Sequence, residues 1–114
     1  MANRRMISKN ILYSDEFFDM PSEYLRLYIY LILEADDDGF VDNVKHTLRS
    51  LGLREEAMEY LKEKELIIEF RSGICAVTHW HKHNSIDRPG YRPTQHVEKN
   101  LIYVEDGIYF KNFD

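Results

Sequence analysis

The sequence predicts an α+β fold in which three helices are closed by a β-hairpin and a second β-hairpin follows. Three observations predict it. Residues 22–35 place apolar side chains at Leu25, Tyr28, Ile29, Ile32 and Leu33, the i, i+3, i+4, i+7, i+8 spacing of a helix face. Two shorter helical patterns follow, at 44–51 and 54–64. Then two apolar runs, 66–70 and 74–78, flank Arg71-Ser72-Gly73, a short glycine-containing link of the kind that turns a hairpin. Helix, short helix, helix, hairpin is the order of a winged helix, with the hairpin as its wing. The 114 residues are expected to form a single domain, with a basic N-terminal arm at 1–10 and a C-terminal strand extension at 96–114.

After the arm, residues 7–18 mix apolar Ile11, Leu12, Phe17 and Phe18 with Ser14-Asp15-Glu16, which reads as a short strand or turn and then one helical turn. Ser22 can cap the main helix, although Leu25 rather than a glutamate stands three residues on. Leu27, Tyr30 and Leu31 add apolar surface on its other side, so this helix is either central in the core or shared with a second subunit. Asp36-Asp37-Asp38-Gly39 ends it as a solvated turn, with Gly39 able to take a positive φ. Asp42 or Asn43 can cap the next helix, which Gly52 closes, and in the third helix Ala57, Met58 and Leu61 face inward. Near the end, 100–104 and 108–110 surround an Asp106-Gly107 pair, a second hairpin signal. This hairpin is expected to extend the wing sheet or to pair with a neighbouring chain.

Composition excludes several classes. No apolar run approaches the roughly 20 residues that span a bilayer, so no membrane partner is expected. Arg4 and Arg5 are not followed by the apolar stretch of a signal peptide. The one cysteine, Cys75, has no internal disulfide partner and sits in an apolar strand pattern, as a buried, inert thiol of a reducing cytoplasm would. A net charge of −5 argues against coating nucleic acid over the whole surface. Its distribution is more telling. Residues 15–42 carry nine acids against Arg26 alone, while net positive charge falls on the arm with Arg4, Arg5 and Lys9, on the short helix with Lys45 and Arg49, on Arg71 and on the segment 79–99.

That last segment gathers Trp80, Tyr91, Lys82, Arg88, Arg92 and four of the five histidines at the end of a strand. Basic groups interleaved with aromatics suit phosphate contact and base stacking. We therefore expect phosphate contacts from Arg4, Arg5 and Lys9 in a flexible arm, from Lys45 and Arg49 on the second helix, and from Lys82, Arg88 and Arg92, with Tyr91 as a stacking residue and Trp80 at least partly buried. The third helix makes a poor reader of DNA, because Glu55, Glu56, Glu59, Glu63 and Glu65 outnumber its bases. His79, His81 and His83 would share one face of an extended strand, but no Cys-x-x-Cys or His-Glu-x-x-His accompanies them, so polar contacts are expected there rather than zinc. The acidic triplet fails the spacing of a calcium loop, with Thr47 where the glutamate is required. There is no Gly-x-Ser-x-Gly and no phosphate-cradling glycine loop. No catalytic residue, metal or cofactor is expected, and the chain is not expected to be an enzyme.

One resemblance runs through these phrases. Ser14-Asp15-Glu16-Phe17-Phe18-Asp19-Met20-Pro21, then 35–43 from Ala35 through Asp36-Asp37-Asp38-Gly39 to Asn43, then His79-Trp80, Asn84, Ile86 and Tyr91-Arg92-Pro93-Thr94, together resemble the N-terminal domain of phage replisome organisers. These are winged-helix modules related to the DnaD-type primosome proteins of Gram-positive bacteria. The resemblance covers roughly residues 6–95. It implies a part in starting DNA replication inside a bacterial host cell: binding DNA weakly, meeting other replication proteins, and self-association into a homo-oligomer. The sequence departs from the family's usual Asp-Arg pair directly before the tyrosine, since Pro89-Gly90 stands there and Asp87-Arg88 lies two positions earlier. Family members are usually longer, with a C-terminal region that carries much of the DNA and helicase-loader contact. The alternative is a protein–protein assembly domain that uses the apolar main helix and the tail hairpin and does not touch DNA.

Overall fold

The computed structural model describes residues 4–112. Among them the chain forms six α-helices and two small antiparallel sheets, a mixed α plus β arrangement. Its Cα radius of gyration is 13.4 Å, against roughly 13 Å for a packed domain of this length, so the terminal segments lie on the helices rather than extending from them.

Residues 7–18 form two single turns, α1 (Lys9–Leu12) and α2 (Asp15–Phe18), where a strand or turn followed by one helical turn was expected. α3 (Ser22–Glu34) begins directly after Pro21, which occupies the capping position, so Ser22 is the first helical residue and makes no cap. Leu27, Tyr28, Leu31 and Ile32 are buried, while Leu33 is 50% and Tyr30 44% exposed. The buried stripe is thus rotated from the Leu25–Leu33 face that spacing suggested. In a stretch apolar nearly all round, spacing alone leaves the inward face open, and packing against two further helices, α4 (Val44–Leu51) and α5 (Glu55–Glu63), chooses it.

A two-residue strand, β1 (Phe40–Val41), follows the acidic turn, and the sequence reading passed over it. It pairs antiparallel with β3 (Cys75–Val77), Phe40 opposite Ala76 and Val41 opposite Cys75. On its other side β3 pairs with β2 (Ile67–Glu69), the expected hairpin partner, giving a three-stranded sheet in the order β1–β3–β2. α5 buries Ala57, Met58 and Leu61 as expected and leaves Glu55, Glu56, Glu59 and Glu63 exposed. Beneath the sheet, Trp80, Phe40, Tyr28, Leu31 and Met58 belong to one apolar cluster, all of them at most 1% exposed.

Beyond Thr78 the chain does not continue as a strand. Residues Trp80–His83 form a single helical turn, α6, so the three histidines do not share a sheet face. An irregular strap runs from 84 to 96, then a 3₁₀ turn (Val97–Leu101) leads into the tail hairpin, β4 (Ile102–Glu105) and β5 (Ile108–Lys111). Asp106 and Gly107 both take positive φ, 54° and 77°, as a tight hairpin turn requires. The tail hairpin forms its own two-stranded sheet and does not extend the first, a correction to the expected wing extension. It is fastened at the end of β3, where the Tyr109 N–H donates to the Thr78 carbonyl at 2.8 Å.

Candidate functional site

Three adjacent carboxylates follow the C-terminus of α3, where the helix already presents partial negative charge. Left alone they would repel the helix end and one another. Asp36 folds the turn first: its Oδ1 accepts the N–H groups of Asp38 and Phe40, both at 3.0 Å. Gly39, at φ +88°, lets the chain reverse into β1. Asp37 and Asp38 then face the strap. Asp37 Oδ1 accepts from Arg5 Nη1 at 3.0 Å and from Arg88 Nη2 at 2.9 Å, and its Oδ2 accepts the Arg92 N–H at 2.9 Å. Asp38, 2% exposed, accepts the Tyr91 hydroxyl at 2.7 Å and the Thr94 N–H at 2.7 Å, with Lys99 Nζ 3.4 Å away. The Thr94 hydroxyl donates to Asp36. Burial works to raise the Asp37 carboxyl, but the Arg92 N–H and the two guanidiniums outweigh it and hold that carboxyl below the usual carboxylate range. The expected solvated helix-ending turn is therefore an ionic hub, with Asp38 buried and Asp36 and Asp37 half-buried. An unpaired carboxylate in that position would be destabilising by several kcal/mol, on the order of the desolvation penalty of one ion, which is why each has several donors.

The same hub holds two aromatic groups. Trp80, fully buried, donates its indole N–H to the Asp37 carbonyl at 2.9 Å, and the Arg5 guanidinium lies 5.2 Å from its ring centre. Tyr109 on β5 donates its hydroxyl to the Asp38 carbonyl at 2.6 Å, and His81 Nε2 stands 3.2 Å from that hydroxyl. Burial raises the Tyr109 hydroxyl well above its ordinary value. It pushes Tyr91 up to about 12, aided by the bond to Asp38.

The N-terminal arm, expected to be flexible, is docked from Arg5 to Ser8, while 1–3 lie outside the described residues. The Asn84 carboxamide pairs with the backbone of Met6, accepting its N–H at 2.9 Å and donating to its carbonyl at 3.1 Å. His83 Nδ1 accepts the Ser8 N–H at 2.8 Å, so the neutral ring carries its proton on Nε2 and donates it to the Tyr28 hydroxyl oxygen, 2.8 Å away. Burial pushes His83 down to about 4, with a smaller push from His79.

The sequence-predicted contact residues divide accordingly. Arg5, its side chain 5% exposed, and Arg88, 30% exposed, are engaged by Asp37, and Tyr91 donates to Asp38 instead of presenting a stacking face with a free hydroxyl. Arg92 contributes its backbone to the hub and leaves its side chain exposed. Arg4 is exposed, and Lys9 is exposed with its ammonium 5.2 Å over the Tyr13 ring. Lys45 and Arg49 are exposed one turn apart on α4, opposite its buried Val44, Thr47 and Leu48. Lys82 is exposed on α6, its aliphatic stem beside Gly107 of the tail turn. Sequence reasoning missed the hub itself, with Thr94, Lys99, Asn84 and Tyr109. A signal was present: three acids at a helix C-terminus demand cations from elsewhere in the chain.

Cys75 is fully buried and its thiol is pushed up to about 12, chiefly by burial. Among the described residues no group of three or more His, Cys, Asp or Glu side chains is arranged to hold a metal ion, and no helix is long and apolar enough to cross a membrane. A groove of about 680 Å³ runs between α1, α2, β2 and β5, lined by Ile11, Phe17, Ile67, Tyr109 and Phe110, and none of the predicted phosphate contacts lines it. Compared with known proteins, the chain matches no family model, no curated protein and no solved structure.

Proposed function

We propose that this chain is a DNA-binding module of a phage-type replication initiation system, a winged-helix domain that resembles the N-terminal domain of replisome organisers and also self-associates. The observation that carries the reading is topological. The order α3, β1, α4, α5, β2, β3, with the sheet ordered β1–β3–β2, supports the winged-helix reading, in which the β2–β3 hairpin would be the wing beside the three longer helices. Charge supports contact through α4 and the arm rather than through α5. Lys45 and Arg49 stand exposed on α4, with Arg4, Lys9, Lys82 and Arg92 on the surface elsewhere, whereas α5 exposes four glutamates that phosphates would repel. Trp80 and Tyr91 have internal roles, so the binding is to phosphate more than to bases.

The test is titration of labelled single- and double-stranded DNA at about 50 and 200 mM salt. Four phosphate contacts predict a roughly 150-fold loss of affinity over that range. Lys45→Glu with Arg49→Glu, both on an exposed helix face, should weaken binding further and lower the salt slope while leaving the fold intact. Salt-independent affinity, or a double variant that binds as wild type, overturns the assignment of α4.

A second reading has its own observation. Val97, Leu101, Tyr103, Val104 and Phe110 are all exposed by 42% or more around the tail hairpin, and Tyr103 stacks on Phe110 across the strands with centroids 5.6 Å apart. Such a patch suits an assembly domain. A defined oligomer at both salt concentrations, with no DNA binding at either, would favour it.

A further inference from the structure

Arg5 and Arg88 come from opposite ends of the sequence to one oxygen atom. Each places a terminal nitrogen on Asp37 Oδ1, at 3.0 and 2.9 Å, while Asp37 Oδ2 is taken by the Arg92 N–H. The Nε atoms of both guanidiniums are buried and without a hydrogen-bond partner among the described residues. For Arg5 that unmet donor belongs to a side chain only 5% exposed. A guanidinium grips an oxyanion best as a fork, with two N–H groups on two oxygens of a carboxylate or phosphate. Asp37 gives a single oxygen to two guanidiniums, and the second terminal nitrogen of Arg5 donates to the Ala35 carbonyl at 2.8 Å, so neither guanidinium forks a carboxylate. A backbone phosphate offers two anionic oxygens, both free for the two guanidiniums, where Asp37 commits one of its two to the Arg92 N–H. The hub also opens to the surface at Arg5, through a groove of about 450 Å³ lined by Arg5, Arg92 and His96 and also by the carboxylates of Glu34, Asp36, Asp37 and Asp42; Arg88 does not line it.

We propose that Arg5 and Arg88 are an anion-binding pair held closed by Asp37, and that a nucleic-acid phosphate opens it by taking the Asp37 carboxylate's place on the two arginines. This rests on the DNA-binding reading above and concerns its regulation. Asp37 acts as an internal stand-in for phosphate, a single negative charge held between two guanidiniums. While the pair is closed, two of the predicted contacts are withheld and the chain binds only through its exposed cations. Opening frees the Arg88 side chain and the Arg92 N–H from Asp37, while Tyr91 and Thr94 keep the strap on Asp38 and Asp36. It also adds two phosphate contacts, and so two released counterions.

The decisive variant is Asp37→Asn, which keeps the shape and one carbonyl acceptor but removes the charge. Binding of a labelled duplex of about 20 base pairs should tighten roughly tenfold at 100 mM salt with the salt slope unchanged, because the wild-type complex already makes the two added contacts, at about 0.9 each, once Asp37 is displaced. Asp42→Asn is the control for loss of a groove carboxylate that holds neither arginine among the described residues; its side chain is 64% exposed, lines the same groove and lies 3.5 Å from His96. Its affinity should stay within about twofold of wild type. If wild type binds with salt sensitivity but Asp37→Asn has the affinity of Asp42→Asn, the closed-pair proposal is wrong and the DNA-binding reading stands. If nothing binds at 50 mM salt, that reading fails and takes the proposal with it. Should Asp37→Asn not fold, amide exchange of the wild-type chain decides. The Arg92 N–H, which donates to Asp37, should exchange faster with saturating duplex relative to the Thr94 N–H, which Asp38 holds throughout, and unchanged or slower exchange at Arg92 overturns the proposal.

Discussion

Gly39→Ala adds one methyl group, yet it is expected to remove a large share of the fold's stability. Gly39 has φ +88°, a backbone conformation in which an L-residue is strained by about 1–2 kcal/mol. A Cβ built there would lie 2.5 Å from Trp80 Cγ, 2.7 Å from Cδ2 and 2.8 Å from Cβ, all inside van der Waals contact. Trp80 has little room to withdraw. It is fully buried, its indole N–H is bonded to the Asp37 carbonyl, and the Arg5 guanidinium packs against its ring. Overpacking of that kind adds about 1–3 kcal/mol. The sum, roughly 2–5 kcal/mol, compares with a typical total of about 5–15 kcal/mol. Trp80 is the chain's only tryptophan, so urea unfolding followed by its emission reads the perturbed site directly. With an m-value of about 1.5 kcal/mol/M, a loss of about 3 kcal/mol lowers the midpoint by about 2 M. Gly52→Ala is the matched control, with φ +71° and nothing within 4 Å of its added Cβ, and should lose only about 1 kcal/mol. If the two variants differ by less than about 0.5 kcal/mol, the packing of Trp80 against the acidic turn is not what makes Gly39 necessary.

Two further outcomes follow from the core. His83 is held neutral with its pKa down at about 4, against 6.5 unfolded, so the unfolded chain binds more protons between those values. Stability is complete above pH 6.5 and falls as pH drops through that window, by about 2 kcal/mol at pH 5. Urea midpoints of wild type and His83→Gln at pH 5 and 7.5 check it, and an equal pH dependence in both would refute the assignment to His83. Leu31→Ala, at a fully buried position, should lose about 2–5 kcal/mol, whereas Leu33→Ala, at 50% exposure, should stay within about 0.5 kcal/mol of wild type. A larger loss at Leu33 than at Leu31 would mean that α3 buries the face its spacing suggested.

Local chemistry was legible where it had one solution. The helix at 44–51 ends at Gly52, Ala57, Met58 and Leu61 face inward, and Asp106-Gly107 turns a hairpin, each from a pattern spanning a few residues. α3 was legible as a helix but not in its orientation, because Leu25, Leu27, Leu31 and Leu33 are equally apolar. β1 was not legible at all. Two residues carry no period, and Phe40 and Val41 form a strand only because β3 lies beside them. The candidate site was legible as an inventory of charges, and its pairing was not. Arg5 and Arg88 read as phosphate contacts because the carboxylate they meet is 32 and 51 residues away.

The sequence by itself determined the three longer helices, the two hairpins, the buried thiol at Cys75 and the gathering of net positive charge in a few segments. Propensity, periodicity and turn chemistry act over distances of a few residues and need no partner. The tertiary structure alone decided which face of α3 is inside, that 80–83 coils rather than extends, and that the acidic turn draws the arm, the strap and the tail hairpin onto the helices. Those outcomes depend on burial. A carboxylate in water needs no particular cation, but one folded against Trp80 and the end of α3 must find its donors wherever the chain can deliver them.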